Sequence, residues 1–127
     1  MARKGMPYMY FPRKFVEKCE EFVENHPEVA SDVRDFMVRC VRLGFHKLRD
    51  IYPEELLRDC PVGGDLPGDP KIRVENNRVR IYFPDRDFEM IKKVIVKKLG
   101  LVSTAPAWVS TCVLMVLMGY WELPMKL

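Results

Sequence analysis

Arg78-Val79-Arg80-Ile81-Tyr82 alternates long polar-tipped side chains with β-branched ones. On an extended strand, Arg78, Arg80 and Tyr82 therefore share one face, and Val79, Ile81 and the following Phe83 share the other. A guanidinium makes forked, bidentate hydrogen bonds to planar acceptors, so this face is equipped to bind a ligand and not to break bonds in one. The usual signs of catalysis are missing elsewhere. His26 falls in the helix-ending turn Asn25-His26-Pro27 and His46 on the outer side of a helical pattern, and there is no carboxylate pair, Cys–His arrangement or glycine-rich phosphate loop. Cys19, Cys40, Cys60 and Cys112 lack CxxC pairing and zinc-type spacing, and three of them sit in apolar helical patterns. They read as reduced core thiols, and no metal or cofactor is implied. An enzyme is not expected.

The elements that must position the arginines come next. Val79 to Pro84 has a near-copy in Pro7-Tyr8-Met9-Tyr10-Phe11-Pro12, 72 positions earlier. Pro cannot donate to a ladder and suits a helix start, so each strand should end at its Phe-Pro and a helix begin at once. From Arg13 to about His26, Phe15, Val16, Cys19, Phe22 and Val23 fall at helical spacing while Glu17, Lys18, Glu20, Glu21 and Glu24 face away. Ser31 is the expected N-cap of a second helix, with Val33, Phe36, Met37, Cys40, Val41, Phe45 and Leu48 inward and Arg34, Arg39, Arg42 and His46 outward. Between Arg49 and Pro70 the pattern stops. Pro53 to Arg58 can form a short helix, and Cys60 to Pro70 is loop chemistry.

Ile72 and Val74 then alternate with charged residues ahead of Asn76-Asn77, a candidate two-residue hairpin turn. In that register Val74 lies opposite Val79, Ile72 opposite Ile81 and Arg73 opposite Arg80. After Pro84, Phe88, Ile91, Val94, Ile95 and Leu99 mark a helix ending at Gly100. A last helix runs from Thr104 or Pro106 to about Leu123. A shift of 72 superposes the apolar faces of the two first helices, and a shift of 75 aligns Val41–Leu48 with Val116–Leu123.

A short strand closed by Pro, then a helix, then a second helix, occurring twice, resembles the ribbon-helix-helix superfamily of small DNA-binding regulators. The resemblance covers Met6 to Leu48 and Arg78 to Leu123, with residues 49–77 as a linker that carries the short helix and the extra strand. It implies a mostly α fold with a short antiparallel β-ribbon, in which two fused repeats form one pseudo-two-fold domain. Such tandem proteins are similar to transcription regulators, repressors among them, of prokaryotes and archaeal viruses. In the family, alternate ribbon side chains enter the major groove of double-stranded DNA, which admits two strands. The implied base contacts are Arg78, Arg80 and Tyr82 from the second strand and Tyr8 and Tyr10 from the first, where Met6 completes the set. The family also holds phosphate on backbone N–H groups at the start of its second helix. The equivalent positions are Ser31 beside Asp32, and Ser103 with Thr104; Arg3, Lys4, Arg13 and Lys14 are further candidates for backbone contact. A third strand would make the ribbon too broad for the usual insertion.

The bulk numbers agree with one core and exclude little else. The chain has 127 residues, 48% of them hydrophobic and 31% charged, and a net charge of +3, which permits nucleic acid without pointing to it. The apolar run Val113 to Met118 is about half of what a bilayer needs, and Arg3 and Lys4 precede no signal-length apolar stretch, so an intracellular, cytoplasmic setting, a virus-infected host cell included, is the expectation. Under the 75 shift, Arg34, Arg39, Arg42 and His46 become Val109, Leu114, Leu117 and Trp121. The last helix is thus apolar on nearly all sides and needs a cover. Leu56 and Leu57 of the linker, or self-association through that helix, would supply it. The alternative function is accordingly a protein-interaction or assembly module that keeps the fold without sequence-specific DNA binding.

Overall fold

The computed structural model describes residues 7–62 and 72–125. Strand β1 (Tyr8–Pro12) leads directly into α1 (Arg13–Asn25), followed by α2 (Val33–Leu48) and the single turn α3 (Glu54–Leu57). Strands β2 (Ile72–Glu75) and β3 (Arg78–Tyr82) form a hairpin. Helix α4 (Asp85–Met90) runs on as a π-helical segment (Ile91–Lys98), and α5 (Ala105–Leu117) closes the order. The protein is mostly helical with one small antiparallel sheet, ordered β1-β3-β2. The order strand, helix, helix occurs twice, and the two strands concerned, β1 and β3, pair with each other.

The hairpin register is the one the alternation implies: Ile72 opposite Ile81, Arg73 opposite Arg80 and Val74 opposite Val79. Asn76 takes the positive φ of 51° that the turn demands and that Asn tolerates. On the other side of β3, Met9 meets Ile81 and Phe11 meets Val79. Met9, Phe11, Val79 and Ile81 are buried under the helices, where each large apolar side chain contributes about 1.5–3 kcal/mol. Ile72 and Val74 belong to the same side of the sheet, yet both are exposed, because β2 overhangs the helical layer.

Helix α2 is the centre of the fold, and two of its arginines correct the expectation of an outward stripe. Arg34 and Arg42 are buried. Arg34 Nε donates to the Tyr82 carbonyl at 2.6 Å, and Arg42 makes a forked pair with Asp87, both N–O distances being 2.9 Å. Asp87 is 0% exposed. The long stems pass through the core, and the guanidiniums reach polar groups of β3 and α4 that would otherwise be buried without partners. Arg39 lies nearer the surface and pairs with Asp35 at 2.9 Å.

The α2–α5 crossing depends on Gly44, where a Cβ would come within 2.6 Å of Cys112 Sγ and 3.0 Å of Trp108 Cζ2. Helix α5 stops at Leu117, earlier than the apolar pattern implies. Gly119, at φ 82°, turns the chain so that Trp121 lies half-buried near Gly44 instead of facing outward. The segment after α2 is tied in by hydrogen bonds: Arg49 donates to the carbonyls of Leu57, Arg58 and Cys60, Leu57 is fully buried, and Arg86 of α4 reaches the Asp59 carbonyl.

Candidate functional site

Strand pairing converts the alternation of β1 and β3 into a two-dimensional pattern. Across the outer face of the sheet, Tyr8 lies opposite Tyr82, and Tyr10, Arg80 and Arg73 form one row. Pro12, Arg78 and Glu75 form the next. Tyr8, Tyr10, Arg78, Arg80 and Tyr82, all expected on one face, are therefore brought together, with Arg73 added by the third strand. Met6, Arg3 and Lys4 lie outside the described residues.

The rings and guanidiniums pack on each other. The Arg78 guanidinium lies 3.9 Å from the Tyr10 ring centroid. That of Arg80 is surrounded by Tyr8, Tyr82 and Tyr10, at 4.9, 5.6 and 6.0 Å. Tyr8 packs edge-on to Tyr10 with centroids 5.6 Å apart and tilts against Tyr82 at 5.4 Å. Cation–π attraction of this kind fixes an arginine without removing its charge. Glu75 adds an ion pair to Arg80 at 3.4 Å. Sequence reasoning passed over Glu75, although the hairpin register that puts Arg73 opposite Arg80 also puts Glu75 opposite Arg78, one diagonal step from Arg80. Arg80 is thus half-enclosed and paired, whereas Arg78 and Arg73 are exposed.

The expected phosphate contacts fare differently. Asp32, not Ser31, caps α2: its carboxylate accepts from the Asp35 N–H at 2.8 Å, and the Asp35 carboxylate accepts from the Ser31 N–H at 2.8 Å. The two carboxylates thus take the Asp35 and Ser31 N–H groups and place negative charge at the positive end of the helix dipole, where a phosphate would sit. At α5, Thr104 Oγ accepts from the Ala107 N–H at 3.3 Å, no acidic residue occupies the first turn, and Ser103 is exposed. Arg13 turns toward the hairpin, donating to the Asn76 carbonyl at 3.3 Å.

No protein-family model, curated protein or solved structure matches this chain. The functional reading therefore stands on the geometry of the sheet face and on a second surface at α5. Of the residues expected to mediate self-association there, Val109 is fully buried in the core and is corrected to a structural residue. Leu117 and Trp121 are half-buried. Leu114 near the end of the helix, and Met118 and Tyr120 beyond it, are 44%, 64% and 69% exposed. All four cysteines are buried thiols. Loss of hydration raises the Cys19 thiol to about 12, with Glu20 adding to the effect, and likewise holds Cys40 and Cys112 well above the ordinary thiol range. Such thiols are poor nucleophiles. Among the described residues no group of His, Cys, Asp and Glu is arranged to hold a metal ion, and no helix is long and apolar enough to cross a membrane.

Proposed function

We propose that the protein is a DNA-binding regulator, a tandem relative of the ribbon-helix-helix type, whose contact surface is the outer face of the sheet. The observation that carries this reading is the convergence of Arg73, Arg78 and Arg80 with Tyr8, Tyr10 and Tyr82 on one uncovered sheet face. Arginines supply affinity for the phosphate backbone and forked bonds to bases, and tyrosines supply flat contact area. The mode of contact differs from the two-stranded insertion of the family. A third strand adds about 4.8 Å to a ribbon that already fills a groove roughly 12 Å wide, and the start of α2 carries the Asp32 and Asp35 carboxylates where a phosphate would sit. Selection from random DNA followed by titration at controlled salt tests the reading. Retention that weakens with salt, and weakens further in Arg78→Ala with the melting temperature unchanged, is the expected result. A protein that retains no DNA at low salt would not have this function.

A second reading, an assembly module, is supported by the uncovered Leu114, Met118 and Tyr120. Contiguous apolar surface at a helix end is commonly closed by a partner protein. Sedimentation across a concentration series separates the two. Oligomers indifferent to DNA favour assembly, and a monomer that binds DNA removes it.

A further inference from the structure

We propose that the outer sheet face takes unpaired bases, so that the preferred ligand is single-stranded DNA; this rests on the reading that the face binds DNA at all. Three properties of the face converge on it. The first is breadth. Three strands form a platform too wide for a duplex groove, but breadth is no obstacle to a single strand laid across a sheet, which needs only flat side chains spaced along its path. The second is planarity. Tyr8, Tyr10 and Tyr82 occupy two adjacent rows, and the exposed Arg78 guanidinium lies over the Tyr10 ring at 3.9 Å. A base stacks on a guanidinium plane as it does on an aromatic ring, and the ring beneath holds that plane in place before the ligand arrives.

The third is the placement of charge. Exposed Arg73 lies beside the half-enclosed Arg80 on β2, exposed Arg78 stands one row further along β3, and Arg13 reaches the hairpin turn. A single phosphate backbone crossing the sheet would find cations along its path. The start of α2, where a duplex backbone would be clamped, presents Asp32 and Asp35 instead. The breadth of the sheet obstructs groove insertion and the start of α2 presents carboxylates, whereas the planar and cationic side chains that a strand of unpaired bases needs share the outer face of the sheet.

Parallel selections on a random single-stranded DNA pool and on its double-stranded counterpart, at the same salt, decide the matter. The inference expects the single-stranded pool to be retained at least about tenfold more tightly. Arg78→Ala and Tyr10→Ala should each lose about tenfold in affinity for selected single strands, while Tyr10→Phe, which keeps the ring, should bind as the parent does. Unfolding curves identify any variant that fails to fold; Tyr10→Phe and Arg78→Ala suffice if Tyr10→Ala does. Equal or tighter retention of the duplex pool overturns the single-strand inference and leaves DNA binding standing. Retention of neither pool overturns both. Single-strand binding that survives Arg78→Ala and Tyr10→Ala unchanged removes the sheet face as its site.

Discussion

Helices α2 and α5 follow a strand and a helix in the same order, and they cross at Gly44, yet they solve opposite problems. Helix α2 carries Arg34, Asp35, Arg39, Arg42, His46 and Lys47 and is nevertheless buried on almost every side. Helix α5 carries no charged residue from Ala105 to Leu117 and is nevertheless exposed at Leu114 and, just beyond its last turn, at Met118. Position in the assembly, not composition, decides which surface meets water. α2 packs against α1, α4 and α5, so its buried arginines must end on partners within the protein. α5 packs against α2, α1, β1 and the π-helical segment, and leaves Thr111 and Leu114 on its exposed side. The charged helix became the internal tie, and the apolar helix keeps an exposed apolar side chain at Leu114.

The largest expected effect comes from breaking that tie. Arg42→Met leaves the fully buried Asp87 carboxylate without its forked partner, and removing one member of a buried pair costs about 3–5 kcal/mol. Replacing both, as in Arg42→Met with Asp87→Leu, should recover much of the loss, because two apolar side chains need no mutual compensation. Urea unfolding of the two variants checks this. If Arg42→Met lies within about 0.5 kcal/mol of the parent, the pair is a surface feature and the account of α2 is wrong.

Next comes the crossing itself. Gly44→Ala forces a methyl group against Cys112 Sγ, and overpacking of this kind costs about 1–3 kcal/mol. Adding Cys112→Ala should return part of it, so the two changes together should be less damaging than their sum. Strict additivity would show that the helices separate instead of colliding.

These two sites also mark the limit of what the sequence conveys. The strands, the hairpin register and the starts of the first two helices were legible, because period-two and period-three-four alternation is a local property and Asn76 and the two Phe-Pro steps punctuate it. The burial of Arg34 and Arg42 was not. Their partners, the Tyr82 carbonyl and Asp87, lie 48 and 45 positions away, and helical spacing assigns any arginine to solvent. Val109 was misplaced for the converse reason: a helix without charges offers no contrast between its faces, so an inward valine and an outward leucine look alike. At the sheet, the alternation named the right side chains but could not give the enclosure of Arg80, which exists only once β1, β3 and β2 lie side by side. Ser31 was the expected cap of α2, but the helix starts one residue later, with Asp32 capping the Asp35 N–H and the Asp35 carboxylate taking the Ser31 N–H.

A smaller effect on stability is expected on the open side of the comparison. Leu114→Glu and Met118→Glu place charges where the side chains are largely exposed, so folding stability should shift by no more than about 0.5 kcal/mol. Any concentration-dependent association should fall markedly in sedimentation. Association that persists undiminished would place the assembly surface elsewhere, with the overhanging Ile72 and Val74 as the next region to test.

The last effect is a slope, absent at neutral pH, and it probes the buried side of both helices. Cys40 on α2 and Cys112 on α5 interact across the interior, and Cys19 of α1 contributes to the same electrostatic environment. Burial raises all three thiols in the folded state, Cys19 from 9.0 to about 12. The folded state therefore favours the neutral thiol. The stability this contributes is complete below pH 9, where unfolded thiols are also neutral, and drains away as pH rises through the window from about 9 to 12 for Cys19. Each thiol can add up to about 1.4 kcal/mol per pH unit to the decline once the unfolded chain ionises and the folded one does not. Cys19→Ala should flatten the dependence of unfolding free energy on pH between 9 and 10.5 by up to that amount, whatever it does to the value at pH 7. The slope is the informative quantity, because a small cavity left by the missing sulfur lowers stability equally at every pH. An unchanged slope would mean that Cys19 is reached by water in the folded protein, and that α1 packs less tightly against α2 than the buried Cys19 implies.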